Sequence, residues 1–145
     1  MEKKLILITG SVLNADSNSV DTYNKLISMI DLERFVVYSP IDTMKFNGTA
    51  SERYEMAMEM LSDTIMMIAE MSNVSTGQGM ELQQAAILGI PVLVVAKENS
   101  KVSGLVKGCP AVKNIVYYSN ICAIKEKIEN FISKVTSGEY NAIKR

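Results

Sequence analysis

Five short apolar runs constrain this chain more than any other feature: LILIT (5–9), FVVY (35–38), TIMMIA (64–69), VLVVA (92–96) and NIVYY (114–118). None alternates apolar with polar residues, which is the pattern of strands covered on both faces. Helical periodicity fills the gaps. Tyr23, Leu26, Ile27 and Ile30 fall at i, i+3, i+4 and i+7, as do Leu82, Ala85, Ala86 and Gly89, so each set marks one face of a helix. A further helix starts near Ser51, where Thr49 and Glu52 have capping-box spacing, and is expected to bury Tyr54, Met58 and Leu61. The last runs from about Ile121 to Val135 with Ile124, Ile128, Phe131 and Ile132 on one side. Strict β-α alternation implies right-handed crossovers, and so an α/β fold with a doubly wound, five-stranded parallel sheet and helices on both faces. A single domain over 1–145 is expected, with only the tail TSGEYNAIKR loose.

Composition removes several kinds of chemistry. The chain has no histidine, which excludes Ser-His and Cys-His nucleophile activation and any histidine metal site. Proton transfer is left to carboxylates, Tyr, Lys and Cys. Cys109 and Cys122 match no metal or redox spacing. The net charge of −1 argues against a nucleic-acid partner, and MEKKLILITG has too short an apolar run for a signal peptide or membrane span. A soluble, cytoplasmic protein is expected.

In open parallel sheets ligands bind outside the carboxyl ends of the strands. Four polar segments belong there: GSVLNADSNS, SPIDTMKFNGTAS, EMSNVSTGQG and KENSKVSG. Loops of this length are more often functional than not. Within the third, Gly77 and Gly79 read equally as a plain turn or, with Ser75, as a cradle of bare N–H groups and a hydroxyl at a helix N-terminus. Glu81, read here in the first turn of that helix, by itself suggests no more than a favourable contact with the helix dipole. Glu55 fits a solvated face with Glu52 and Glu59, Asp63 a turn before a strand, Ser11 a loop, Ser103 a helix cap, and the methionines core filling.

Taken together, LSDTIMMIAEMSNVSTGQGMELQQAAILGIPVLVV resembles the nucleoside 2-deoxyribosyltransferase family and its relatives, the nucleoside 5'-monophosphate N-glycosidases. The features are ordered: an aspartate before the third strand, a strand ending in AE, an S-x-G-x-G-x-E-L junction, and a Gly-x-Pro step into the next strand. The resemblance spans about two-thirds of the chain, from ITGS to SGLVKG, and implies a Rossmann-like or flavodoxin-like fold.

The resemblance also implies roles. Glu81 would be the nucleophile, stabilising an oxocarbenium-like transition state and then bonding to the sugar. The register that matches Asp63 puts Glu55 at the family's acid for the leaving base, whereas a register two residues shorter would put Ala57 there. Gly10, Ser11, Ser75, Gly77, Gly79, Ser103 and Asp63 complete the expected substrate site, with Ser103 supplied by a neighbouring subunit. Deoxyribosyltransferases tend to carry an acid at the Ser75 position, and the monophosphate N-glycosidases carry serine. Together with Ser11 and Ser103, this favours a 5'-phosphate. Leu7 and Leu13 depart from the family's aromatic and arginine, and Lys45, Lys101 and Lys107 are candidates for the missing charge. The expected activity is hydrolysis of a nucleoside 5'-monophosphate. The alternatives are base exchange between nucleosides and a nucleotide-binding module without turnover. No metal or organic cofactor is implied, and the expected assembly is a homodimer or a larger even-numbered oligomer.

Overall fold

The computed structural model describes residues 2–140, and Met1 and 141–145, half of the expected loose tail, lie outside them. Strands β1 (Lys4–Thr9), β2 (Phe35–Tyr38), β3 (Thr64–Glu70), β4 (Val92–Lys97) and β5 (Val112–Tyr118) pair in the order β2-β1-β3-β4-β5, all parallel. This is the flavodoxin-like arrangement, and its strand order reverses between β1 and β3.

Each face of the sheet carries its own core. Helix α1 (Ser17–Ser28), a 3₁₀ turn (Ile121–Ile124) and helix α6 (Lys125–Thr136) cover one face, with Ile6, Ile8, Met66 and Ile68 meeting Leu26, Ile128, Phe131 and Ile132. Helices α3 (Ala50–Asp63), α4 (Thr76–Leu88) and the short α5 (Gly104–Lys107) cover the other, where Leu7, Met67, Val92 and Val94 pack on Leu61, Leu82, Ala85 and Val106. The middles of β1, β3 and β4 are apolar because both faces are buried, whereas the edge strands β2 and β5 leave Val36 and Tyr117 half exposed.

Local signals explain most element boundaries. Thr49 and Glu52 form the expected capping box on α3. Gly89 closes α4 at φ 73°, a left-handed cap that favours glycine, and Pro91 leads into β4. Three readings need correction. A short helix α2 (Pro40–Lys45) was not anticipated, although Ser39, Pro40 and Asp42 supply a complete capping box with proline at its start. Tyr54 is 55% exposed because it lies at the edge of the α3–α4 contact and not beneath it, while Leu61 is fully buried as expected. Helix α4 starts earlier than the glycines suggest: Ser75 is its N-cap, so Gly77 and Gly79 are inside the helix and Glu81 falls in its second turn.

Candidate active site

The rim at the carboxyl ends of β1, β3 and β4 is assembled by side chains that tie the loops together. After β1, Ser11 is buried and its Oγ accepts the Asn14 N–H at 3.1 Å. Tyr23 of α1 donates its hydroxyl to the Ser11 carbonyl at 2.7 Å. Burial, and then the nearby Glu70 charge, push the Tyr23 phenol up to about 12, which keeps it a donor. A Cβ at Gly10 would overlap the Tyr23 ring, so this close approach requires glycine there. Asn14 Nδ2 then donates to the Val74 carbonyl at 2.9 Å, joining the β1 loop to the loop before α4.

Ser75 Oγ accepts the Gln78 N–H at 3.2 Å and caps α4. Gln78 is buried and turns its amide inward: Nε2 donates to Thr9 Oγ1 at 3.0 Å and to the Glu70 carbonyl at 2.9 Å, bridging β1 and β3 where the strand order reverses. Its Oε1 has no partner among the described residues. One turn before Glu81, at i−4, an added Cβ on Gly77 would meet nothing within 4 Å, and the same holds at Gly79. Both glycines therefore leave open space at the head of the helix without any contact among the described residues that demands it.

Glu81 is partly buried, and desolvation alone pushes its carboxyl from the usual 4.5 to about 7. Among the described residues it has no ion-pair partner, and no hydrogen bond contributes to its shift. Between α3 and α4 lies an open groove of about 450 Å³ lined by Tyr54 and Met58 on α3 and by Thr76, Gly79, Met80, Gln83 and Gln84 on α4; Glu81 is not one of its lining residues. Leu7 is buried in the core beneath these helices.

The other expected residues are dispersed. Glu55 is exposed on α3, next in sequence to the groove residue Tyr54. Asp63 ends α3 at the amino edge of β3, the opposite edge from the loops of the rim, so the structure does not bring it to the site. Ser103 caps α5, its Oγ accepting the Leu105 N–H at 3.2 Å, and is exposed. Leu13, where the resemblance leads one to look for arginine, is 98% exposed, and Lys45, Lys101 and Lys107 are exposed as well. Among the described residues no cluster of three or more His, Cys, Asp or Glu side chains could hold a metal ion. None of the described helices is long and apolar enough to cross a membrane.

Reading the sequence noted Glu70 only as the end of a strand in AE, without a role, and missed Gln78 and Tyr118. The Glu70 carboxylate is buried at the end of β3 and accepts from Ser72 N (2.8 Å), Ser72 Oγ (2.7 Å) and the Tyr118 hydroxyl. Burial and this hydrogen bond raise the Tyr118 phenol further above its usual range. A cavity of about 10 Å³, room for one water, lies against Glu70, Tyr118, Tyr23 and Lys97. The available signal was periodicity: Met66 and Ile68 are inward on the α1/α6 face, and Glu70 continues that spacing.

No family model matches the chain. In sequence it is similar to a Methanosarcina mazei protein provisionally named 2'-deoxynucleoside 5'-phosphate N-hydrolase 1, with 28% identity over 137 residues, covering 90% of this chain and 84% of the relative. In structure it is similar to the CMP N-glycosidase BcmB of Clostridium botulinum, with a TM-score of 0.68, 13% identity, and coverage of 87% and 98% of the two chains. It is also similar to a 2-desoxiribosyltransferase from Leishmania mexicana, with a TM-score of 0.59, 19% identity, and coverage of 87% and 97%. These relatives bear out the resemblance carried by residues 61–95. All three are named as enzymes of the N-glycosidase or deoxyribosyltransferase type.

Proposed function

We propose that the chain, acting as one domain, hydrolyses the N-glycosidic bond of a (2'-deoxy)nucleoside 5'-monophosphate with Glu81 as nucleophile. The observation that carries this reading is a desolvated carboxylate without a partner, Glu81, one helical turn beyond a glycine with open space above it, in a helix capped by Ser75. Among the described residues none forms an ion pair with this carboxylate, whereas a sugar cation would. In the ionised form a Glu81 oxygen bonds to C1' as the C1'–N bond breaks, and the base leaves with the electron pair and takes up a proton. We assign that proton to Glu55, which is exposed in the single chain and depends in this role on being covered by substrate or a second chain. Water then cleaves the glycosyl ester and releases sugar phosphate and Glu81.

Support for a 5'-phosphate comes from Ser75 and from the head of α4, where backbone N–H groups and the helix dipole favour an anion. Ser11 and a second chain's Ser103 complete this reading, which makes the working form a homodimer or larger even-numbered assembly. One observation favours a second reading, base exchange on unphosphorylated nucleosides: Leu13 and Val74, 98% and 86% exposed, give the mouth of the site an apolar lip without a cation. Incubation with matched monophosphates and nucleosides, followed by chromatography for released base, separates the two. Hydrolysis of monophosphates well above nucleosides is expected. Equal rates, or base transfer in the presence of a second base, would favour exchange.

A further inference from the structure

Glu70 is a buried carboxylate that the proposed chemistry leaves unused. It is 5% exposed, and the single ion pair among the described residues, Lys25 with Asp21, is elsewhere, so Glu70 sits in the interior without a cation in contact. A charge in such a place is costly to keep unless its hydrogen bonds hold something. What they hold is the junction between β3 and α4. The carboxylate fixes both the N–H and the hydroxyl of Ser72, and the Ser72 Oγ in turn accepts the Lys97 N–H from the end of β4 at 2.8 Å. The Tyr118 hydroxyl, from the end of β5, closes the set. On the opposite side of the same residue, the Glu70 carbonyl accepts from Gln78 Nε2, whose other bond reaches Thr9 on β1. Glu70 thereby links four strand ends to the first turn of α4, and Glu81 follows Gln78 by three residues.

We infer that Glu70 is the positioning residue of the site: its carboxylate fixes the loop on one face of the sheet, its carbonyl fixes α4 through Gln78 on the other, and together they set where Glu81 stands. The inference rests on the reading of Glu81 as nucleophile for its catalytic consequence, though not for the hold itself. Displacement of a reacting group by about 1 Å costs on the order of a hundredfold in rate.

The test uses Glu70→Ala, Glu70→Gln and Gln78→Met in the full chain. Glu70→Ala removes all three acceptor contacts. Glu70→Gln keeps an acceptor for Ser72 N and turns an amide donor toward the two hydroxyls, each of which can accept. The expected result is a fall in kcat of about a hundredfold for Glu70→Ala and tenfold or more for Gln78→Met, with KM within about threefold of the parent. Glu70→Gln should recover most of the loss. Amide hydrogen exchange supplies a readout that needs no turnover: residues 71–81 should lose protection in Glu70→Ala and Gln78→Met while the α1 and α6 segments keep theirs. Unchanged protection of 71–81 overturns the inference whatever the activity. Lost protection with unchanged kcat in an active parent removes the catalytic consequence. A parent that releases no base overturns the proposed function instead, leaving the exchange result to decide about Glu70. If Glu70→Ala does not fold, Gln78→Met and Glu70→Gln carry the same comparisons.

Discussion

At the scale of single residues, Glu81 is held against its own ionisation. Its folded-state carboxyl titrates at about 7, above the ordinary 4.5, so the folded chain binds this proton more tightly than the unfolded one. The associated stability is fully present below about pH 4.5 and is lost as pH rises through 7. Glu81→Gln should therefore leave stability unchanged near pH 4 and raise it at pH 8 by up to about 3 kcal/mol, as read by urea denaturation at the two pH values. The same substitution should lower base release by several orders of magnitude and leave nucleotide binding intact. A variant with near-normal turnover would remove Glu81 from the nucleophile's role. In the parent, the rate should fall on the acid side of about pH 7, because only the ionised carboxylate attacks.

At the scale of elements, helix α4 separates folding from function. Its N-cap Ser75 donates no charge, and replacing it by Ala should cost about 1 kcal/mol through loss of the cap. Asp is an equally good cap, so Ser75→Asp should preserve the melting temperature and yet erase any preference for monophosphates, since it sets a negative charge against the phosphate. Loss of stability with unchanged preference would confine Ser75 to capping. Gly77→Ala makes the opposite division. The new Cβ meets nothing among the described residues, and alanine is the better helix former, so stability should rise by about 0.5–1 kcal/mol. Activity should fall at the same time, because the methyl group enters the space before Glu81, and unchanged activity would show that nothing approaches there.

This helix also shows how far the sequence was legible. The strands were readable because burial on two faces removes alternation, a local signature. The start of α4 was misjudged because paired glycines ordinarily stand outside helices, and here Ser75 overrides that preference. Helix α2 had a readable capping box that its shortness obscured. The S-x-G-x-G-x-E-L string named Glu81 and its neighbours. The AE string marks Glu70 but not its partners, because the network joins residues 25 and 48 positions apart and exists only once four strands are aligned.

At the scale of the whole molecule, the apolar side chains that find no cover within one chain bear on assembly. Leu105 on α5 is 88% exposed, Ile87 and Leu88 at the end of α4 are 54% and 41% exposed, and Tyr54 and Met80 border the groove. Together they suit an interface better than a solvated surface. Light scattering at micromolar concentration should give a dimer or larger even-numbered assembly, and Leu105→Asp should shift it toward monomer and reduce activity with it. An active monomer would leave Ser103 as a helix cap only. The strand order carries a different consequence, one for the nascent chain. Because β1 pairs with β2 on one side and with β3 on the other, the segment made first is left with an open apolar edge until residues 64–70 have left the ribosome. An unpaired strand of that kind is a template for association with other chains. A fragment ending near residue 60 should therefore aggregate, whereas one carried through β4 should be markedly more soluble, and sedimentation of the two products of a truncation series would show the difference.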